Sequence, residues 1–460
     1  MTDDLRLSQR VNAYYIIEST YGTCPVAAIY HAGLLDTFDP RNVEMQYTPV
    51  PAVGKSTDSH IISGPVKVTV PFKIGMWGTG WKDLLGRVIG VTSNAPSFLT
   101  TNVDSVSLLA DEVVTGGTPY QSTLVTGCTF NSVVMEADYT SNSPITLDFD
   151  VWGYYLNDKA HATKTTSRNF DSGMLQVNLS GTALPSDPTT DPILPTDMTV
   201  YVGSHQGNTT QTTQTKGISI DGPLGGWVEV GERYLKAYSS SGALDLGFDG
   251  DGIMDLTNGS FDTITKISTL IEADANWGSA VLGGGGAELT QNLVKGIYNT
   301  GGTIDDDADD TDTGLANIYV ATDADATGLT TEWPYLKTVK LTITNNLVPI
   351  PGRQTAGGVT KHLHHANVTR GKADILLDVT ATAKDETFFD YMNADATIPL
   401  IRHDLGTNGS IALTNGKVMS RSAPYTAGGE VVETIQLKFT GAGDIYDWSK
   451  YAISADWATN

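Results

Sequence analysis

Residues Gly64–Ile89 read GPVKVTVPFKIGMWGTGWKDLLGRVI. Val66, Val68 and Val70 alternate with Lys67 and Thr69, the period-2 pattern of a strand with one buried face. A glycine-rich corner follows, Gly75 to Gly80. Trp81, Leu84, Leu85 and Val88 then fall at i, i+3, i+4 and i+7, one face of a helix. The stretch is therefore a strand, a turn and one amphipathic helix that needs a sheet to lie against.

Before it, residues 1–33 read as an N-terminal arm, with a strand-like piece at Ala13–Glu18 and the turn cluster STYGTCP. Leu34–Gln46 has a strand pattern, and Thr48–Gly64 reads as a long polar loop. After the helix, Ser105–Val114 and Leu124–Glu136 alternate as strands. PITLDFDVWGYY (144–155) puts Ile145, Leu147, Phe149 and Val151 on one face. From 157 to 195 the composition shifts to Thr, Ser, Asp and Pro, and SDPTTDPILP has the restricted, extended backbone of a linker.

Residues 196–330 form a different block. Strands are expected near Thr199–Val202, Gly226–Val230 and Tyr234–Tyr238. A helix is expected over Phe261–Ala273, with Ser260 as N-cap and Ile264, Ile267, Leu270 and Ile271 on its apolar face. Trp333 begins the last block, 331–450, followed by a C-terminal tail, 451–460. Here LKTVKLTITN (336–345) is a strand and Pro351–Gly358 a polar loop. ADILLDVTAT (373–382) leads into DETFFDYM, where Phe388, Phe389 and Met392 make a helix face. Strands follow at Ile398–His403, Ile411–Val418 and Val431–Thr440. Blocks 34–156 and 331–450 thus share element order and type, including one short helix in the same place. Such internal repetition predicts a mainly β protein in which each half has the same fold, with 196–330 as an inserted small α+β or β domain.

The composition bounds the function. Among 460 residues, Lys+Arg 28 against Asp+Glu 52 gives a net charge of -24, with 40% hydrophobic residues. That is enough apolar content for sizeable cores. The acidity argues against specific binding to a nucleic-acid backbone, which is driven by cations meeting phosphates. The N-terminal MTDDLRLSQRVNAYY has no apolar segment of signal-peptide type, and no run approaches a membrane span. Cys24 and Cys128 form no CxxC pair, and the sequence leaves their pairing open.

Catalytic signatures are missing: no GxSxG, no HExxH and no P-loop. Hence neither a catalytic residue nor a cofactor is assigned. KHLHH offers His362, His364 and His365 as a possible metal pair with no third ligand at a telling spacing. Acidic tracts suggest calcium: Asp245, Asp249, Asp251 and Asp255, then Asp305, Asp306, Asp307, Asp309, Asp310 and Asp312. Neither tract fits an EF-hand loop, and a solvated loop is the default reading. An Asp-based hydrolase would need two carboxylates in one cleft, which nothing in the sequence places.

With those residues in view, the chain resembles the tail tube proteins of long-tailed (caudovirus-type) phages and related archaeal viruses. The resemblance runs through STYGTCP, GPVKVTVPFKIGMWGTGWKDLLG and VTGCTFNSVVMEADYTSNSPITLDFDVWG. It continues in LKTVKLTITNNL, HHANVTRGKADILLDVTATAKDETFFDYM and EVVETIQLKF, covering roughly 1–156 and 333–450. Block 196–330 departs from it. The resemblance implies two tandem β-sandwich or half-barrel domains, each with one short helix. It implies rings with a β-barrel lumen, stacked into the conduit for genome passage, with three duplicated subunits favoured over six. The implied partners are further copies of the chain, then tape measure, terminator and tip or baseplate proteins. Viral DNA would be met only in transit, and no membrane is involved. The protein would be made in the host cytoplasm and end in the virion tail. Polar loops 48–64 and 351–358 and the arm would make ring-to-ring contacts. The alternative is a surface or secreted β-rich binding protein, carbohydrate-binding or adhesin-like.

Overall fold

A computed structural model describes residues 11–38, 42–50, 60–89, 104–114, 118–158, 169–172, 175–179, 182–203, 215–223, 226–231, 234–239, 244–245, 252–256, 258–273, 277–282, 285–287, 290, 293, 296–299, 316–320, 331–333, 335–356, 359–369, 371–383, 387–424, 430–440 and 452–456. The protein is mainly β. The first repeat contains β1 (Val11–Ile17), β2 (Tyr30–His31), β3 (Leu34–Phe38), β4 (Asn42–Val50), β5 (His60–Gly75), α1 (Gly80–Ile89), β6 (Val106–Val114), β7 (Thr118–Asp138), β8 (Thr146–Gly153) and β9 (Tyr155–Asp158). A small hairpin follows, β10 (Asn169–Ser172) and β11 (Leu175–Asn178), and then β12 (Thr199–Gly203). The inserted block holds β13 (Thr215–Asp221), β14 (Trp227–Val230), β15 (Tyr234–Tyr238), β16 (Ile253–Asp255), α2 (Ile264–Ile271), β17 (Gly278–Val281), β18 (Gly296–Asn299) and β19 (Ala316–Val320). The chain ends with β20 (Thr331–Glu332), β21 (Leu336–Thr344), β22 (Val348–Ala356), β23 (Val359–Thr369), β24 (Asp374–Thr382), α3 (Thr387–Asn393), β25 (Ile398–Asp404), β26 (Ser410–Ser422), β27 (Val432–Phe439) and β28 (Ile453–Asp456).

The duplication goes deeper than element order, because the antiparallel pairings match. In the first repeat β1 pairs with β2 and β6, β5 with β3, β4 and β8, and β7 with β6, β8 and β9. In the second, β12 pairs with β20 and β25, β24 with β21 and β27, β22 with β23, and β26 with β25, β27 and β28. Local irregularities repeat as well. A bulge between Leu35 and Thr37 has its counterpart between Leu336 and Thr338. Another between Phe130 and Ser132 recurs between Val418 and Ser420. Bulges re-aim a strand at one place, so two matched bulges fix the register of one repeat on the other. Gly127, at φ 62, corresponds to Asn415, at φ 57. A left-handed backbone is free to glycine and tolerated by asparagine.

Packing follows the sequence pattern. Trp81, Leu84, Leu85 and Val88 of α1 are fully buried, as are Ile145, Leu147 and Val151, with Phe149 at 1% exposure. Each large apolar side chain so buried contributes about 1.5–3 kcal/mol. One apolar cluster runs through both repeats, whereas the insert has its own around Ile218, Val228, Leu235, Met254, Ile267 and Trp277. The insert therefore packs around an apolar cluster of its own.

Several expectations are corrected. Residues 11–33 are not an arm: β1 lies between β2 and β6, and Ala13, Tyr14, Tyr15 and Ile16 are buried. The linker 157–195 contains a hairpin, and the Ile193 carbonyl accepts a hydrogen bond from the Ile145 N–H while its own N–H donates to the Met76 carbonyl. The insert does not span 196–330, since β12 and β20 belong to the second repeat and pair with each other. It occupies the place of the β1–β2 connection in the first repeat. The polar loops 48–64 and 351–358 are, over their described residues, long hairpins of β4 with β5 and β22 with β23. Helix α2 starts at Ile264 with Thr263 as N-cap, not at Phe261 with Ser260. In α3, Phe388 stacks on Trp333 with ring centroids 4.4 Å apart, but Met392 is exposed and lies off the packed face.

Candidate assembly interface

The two repeats are joined edge to edge. The second half of β7 carries β8 on one side and β21 on the other, with Ser132 opposite Thr344 and Asp138 opposite Thr338. The first repeat's sheet thus continues into the second through an antiparallel ladder. The corner after β21 locks the joint. Asn345 is buried, and its Nδ2 donates to the Val88 and Phe130 carbonyls, both at 3.0 Å. Its backbone N–H donates to the Asn131 carbonyl at 2.7 Å, and the Leu347 N–H donates to Asn131 Oδ1 at 3.0 Å. Asn131 is the bulged residue of β7, so the bulge points its amide at the second repeat.

Among the described residues, the two outer edges carry no further strand. Among the described residues, β3 and β4 pair with β5 alone. The end of β26, from Lys417 to Ser422, pairs with β27 alone. Leu34 beside the first edge is 43% exposed and Met419 on the second is 57% exposed. Unpaired sheet edges of this kind template further pairing.

Other candidate sites separate. Asp249, Asp251, Asp305, Asp307 and Asp309, with Asp306, Asp310 and Asp312, lie outside the described residues, as do the side chains of His362, His364 and His365. Asp255 sits in β16 opposite Tyr234, and Asp245 accepts a hydrogen bond from Trp277 Nε1 at 3.2 Å. Among the described residues no three His, Cys, Asp or Glu side chains gather around a common point. Cys24 and Cys128 are both free thiols and buried. Burial pushes the Cys24 thiol up to about 11 and Cys128 well above its ordinary range. Neither is poised as a thiolate nucleophile. Among the described residues no helix is long and apolar enough to cross a membrane.

Besides Asn345, two buried polar groups have no signal in the local sequence. Glu18 accepts hydrogen bonds from Gly22 N (3.0 Å), Gly127 N (2.9 Å), Ser105 Oγ (2.6 Å) and Ser107 Oγ (2.5 Å). It brings STYGTCP and VTGCTF together on one carboxylate. His403, in β25, is fully buried among strands, opposite Val200 and Ile411. Burial holds its imidazole down at about 4, with the backbone of Ile411 pushing weakly the other way. The unfolded chain takes up a proton near pH 6.5 and the folded chain does not, so stability falls as pH drops from 6.5 toward 4. The loss is expected to reach about 3 kcal/mol at the low end. Urea midpoints at pH 7 and 4.5 should differ less for His403→Leu than for the parent. Equal pH slopes would remove this role.

No family model matches the chain, and no curated protein matches it. Similar solved structures include a chain of the virion of a native gene transfer agent particle, at 12% identity and TM-score 0.20, covering 28% of this chain and 90% of that one. Another is from the PVC sheath-tube complex of an extracellular contractile injection system, at 8% identity and TM-score 0.24, covering 32% and 88%. A third is from the baseplate of the anti-feeding prophage, at 8% identity and TM-score 0.24, covering 33% and 92%. These likenesses are partial, each confined to about a third of this chain.

Proposed function

We propose that this chain is a structural virion protein that self-assembles head to tail into rings, and that the rings stack into a tail tube. The observation that carries the reading is the sheet that passes from the first repeat into the second through β7 and β21 while, among the described residues, neither outer edge carries a further strand. A joint between two unlike edges is heterologous, so repeating it from chain to chain closes into a ring or winds into a helix. A duplicated chain needs three copies to supply six equivalent domains. Ring closure also removes the open edges that would otherwise aggregate.

The net charge of -24 suits a conduit that DNA crosses without adhering, because like charges forgo counterion-release binding. The insert replaces one surface connection in every second domain, so it decorates the outside of the ring without interrupting the sheet. Tape measure, terminator and tip or baseplate proteins would be the partners at the tube's ends. The particle tail is its destination after synthesis in the host cytoplasm.

Sedimentation of the purified full-length chain over a range of concentrations tests the reading. The expected result is a step from monomer to a closed species of three chains, with longer tubes at higher concentration. A monomer at every concentration would refute it.

A further inference from the structure

The repeats match strand for strand, so the joint inside the chain is a template for the joint between chains. Ser132, Val133 and Val134 of β7 lie opposite Asp150, Phe149 and Asp148 of β8. Ser420, Arg421 and Ser422 of β26 lie opposite Gln436, Ile435 and Thr434 of β27, in the same relation to the matching bulge. On the other side, Thr342, Ile343 and Thr344 of β21 lie opposite Leu376, Ile375 and Asp374 of β24. Asn42, Val43 and Glu44 at the start of β4 hold those positions in the first repeat, opposite Thr69, Val68 and Lys67 of β5. Within the chain, Ser132 meets Thr344, Val133 meets Ile343 and Val134 meets Thr342.

We infer that the partner of the open β26 edge is the β4 edge of a second copy, in that same register. Ser420 pairs with Glu44, Arg421 with Val43 and Ser422 with Asn42, antiparallel. This rests on the ring reading above and gives it residues. The two joints differ in chemistry at the corner. Inside the chain the bulge residue Asn131 binds the backbone of Asn345 and Leu347. The equivalent bulge residue on the open edge is Met419, and the residue in the place of Asn345 is Met45. The joint between chains therefore lacks the asparagine lock. On the described side of that corner Met419 is exposed, which fits an apolar contact that must first exist on a free subunit and then be covered.

The test is a full-length Ser420→Cys, Glu44→Cys double variant. Directly opposed residues of an antiparallel pair have Cα atoms about 5 Å apart, within disulfide reach. Under mild oxidation the double variant is expected to give covalent chains of two and three subunits, while each single variant and a shifted Ser420→Cys, Asn42→Cys pair give few. Native Cys24 and Cys128 are buried and stay out of the reaction. Met419→Lys, at an exposed position, is expected to raise the concentration needed for assembly at least tenfold with the monomer's melting temperature unchanged. If rings form but the shifted pair cross-links better, or Met419→Lys assembles like the parent, this register is wrong and the ring reading survives. If no variant and no parent protein assembles, both fall.

Discussion

Replacing Glu18 by alanine is expected to cost the repeat core about 3–5 kcal/mol, the sum of several orphaned buried donors at about 1–3 kcal/mol each. The carboxylate is 9% exposed and accepts from two backbone N–H groups and two serine hydroxyls. Ser105 and Ser107 can rotate toward other acceptors. The two amides cannot, because Gly22 and Gly127 are held at φ 73 and 62 and turn their N–H groups inward. Neither glycine has room to relax with a side chain. A Cβ would stand 2.6 Å from the Tyr154 ring at Gly22, and 2.4 Å from Tyr154 Cβ at Gly127. Removing the acceptor leaves both amides buried and unpaired. Glu18→Gln keeps one acceptor oxygen but turns an NH₂ toward donors, so about half the loss is expected from it. Urea unfolding should show the shift in the transition of the repeats and not in that of the insert, whose core is separate. A change under about 1 kcal/mol in Glu18→Ala would show that the loop between β1 and β2 is held by packing instead.

Asn345→Leu is expected to cost about 2–4 kcal/mol, because two buried carbonyls lose their donor at once. One of them, Val88 O, is in the last turn of α1, where helix carbonyls have no partner within the helix. The other, Phe130 O, sits beside the β7 bulge. Leucine is close in size, so the loss is polar and not a cavity. The effect should be local to the joint. Hydrogen exchange is expected to speed up at the end of α1 and along the β7–β21 ladder, while β24 and β27 stay protected. Uniform loosening of both repeats would mean that Asn345 supports the whole core and not the joint.

Much of this architecture was legible in the sequence, for definite physical reasons. Strands with one buried face alternate visibly, as in Ile145 to Val151, and α1 announces itself through Trp81, Leu84, Leu85 and Val88. Features that depend on partners far along the chain were not legible. Thr199–Val202 is a recognisable strand, yet nothing local says that it pairs with β25 and so belongs to the second repeat. A boundary drawn from the composition shift alone therefore takes in strands of the second repeat. The ends of the hairpins β4–β5 and β22–β23, over 48–64 and 351–358, carry Pro, Gly and polar residues without a clear apolar alternation, so they read as loops although their described residues pair. Glu18 reads as no more than the end of a strand. Only its place beside YGTC, with a second glycine in TGCT, hinted at two tight turns meeting. Asn345 closes LKTVKLTITN and reads as the end of a strand, and its reach to Val88 spans 257 positions of sequence. The open edges were invisible for the same reason, since an edge is defined by what fails to pair with it.

If the chain is an internal dimer whose β7–β21 joint is repeated between copies, a cryo-EM map of the assembled full-length protein is the most direct test. The expected map has rings of three chains with six matching β domains, the end of β26 in each chain paired to β4 of the next, and the inserts on the outer face at every second domain. Six chains per ring, or a map in which β26 and β4 remain unpaired while other surfaces join the subunits, would contradict it.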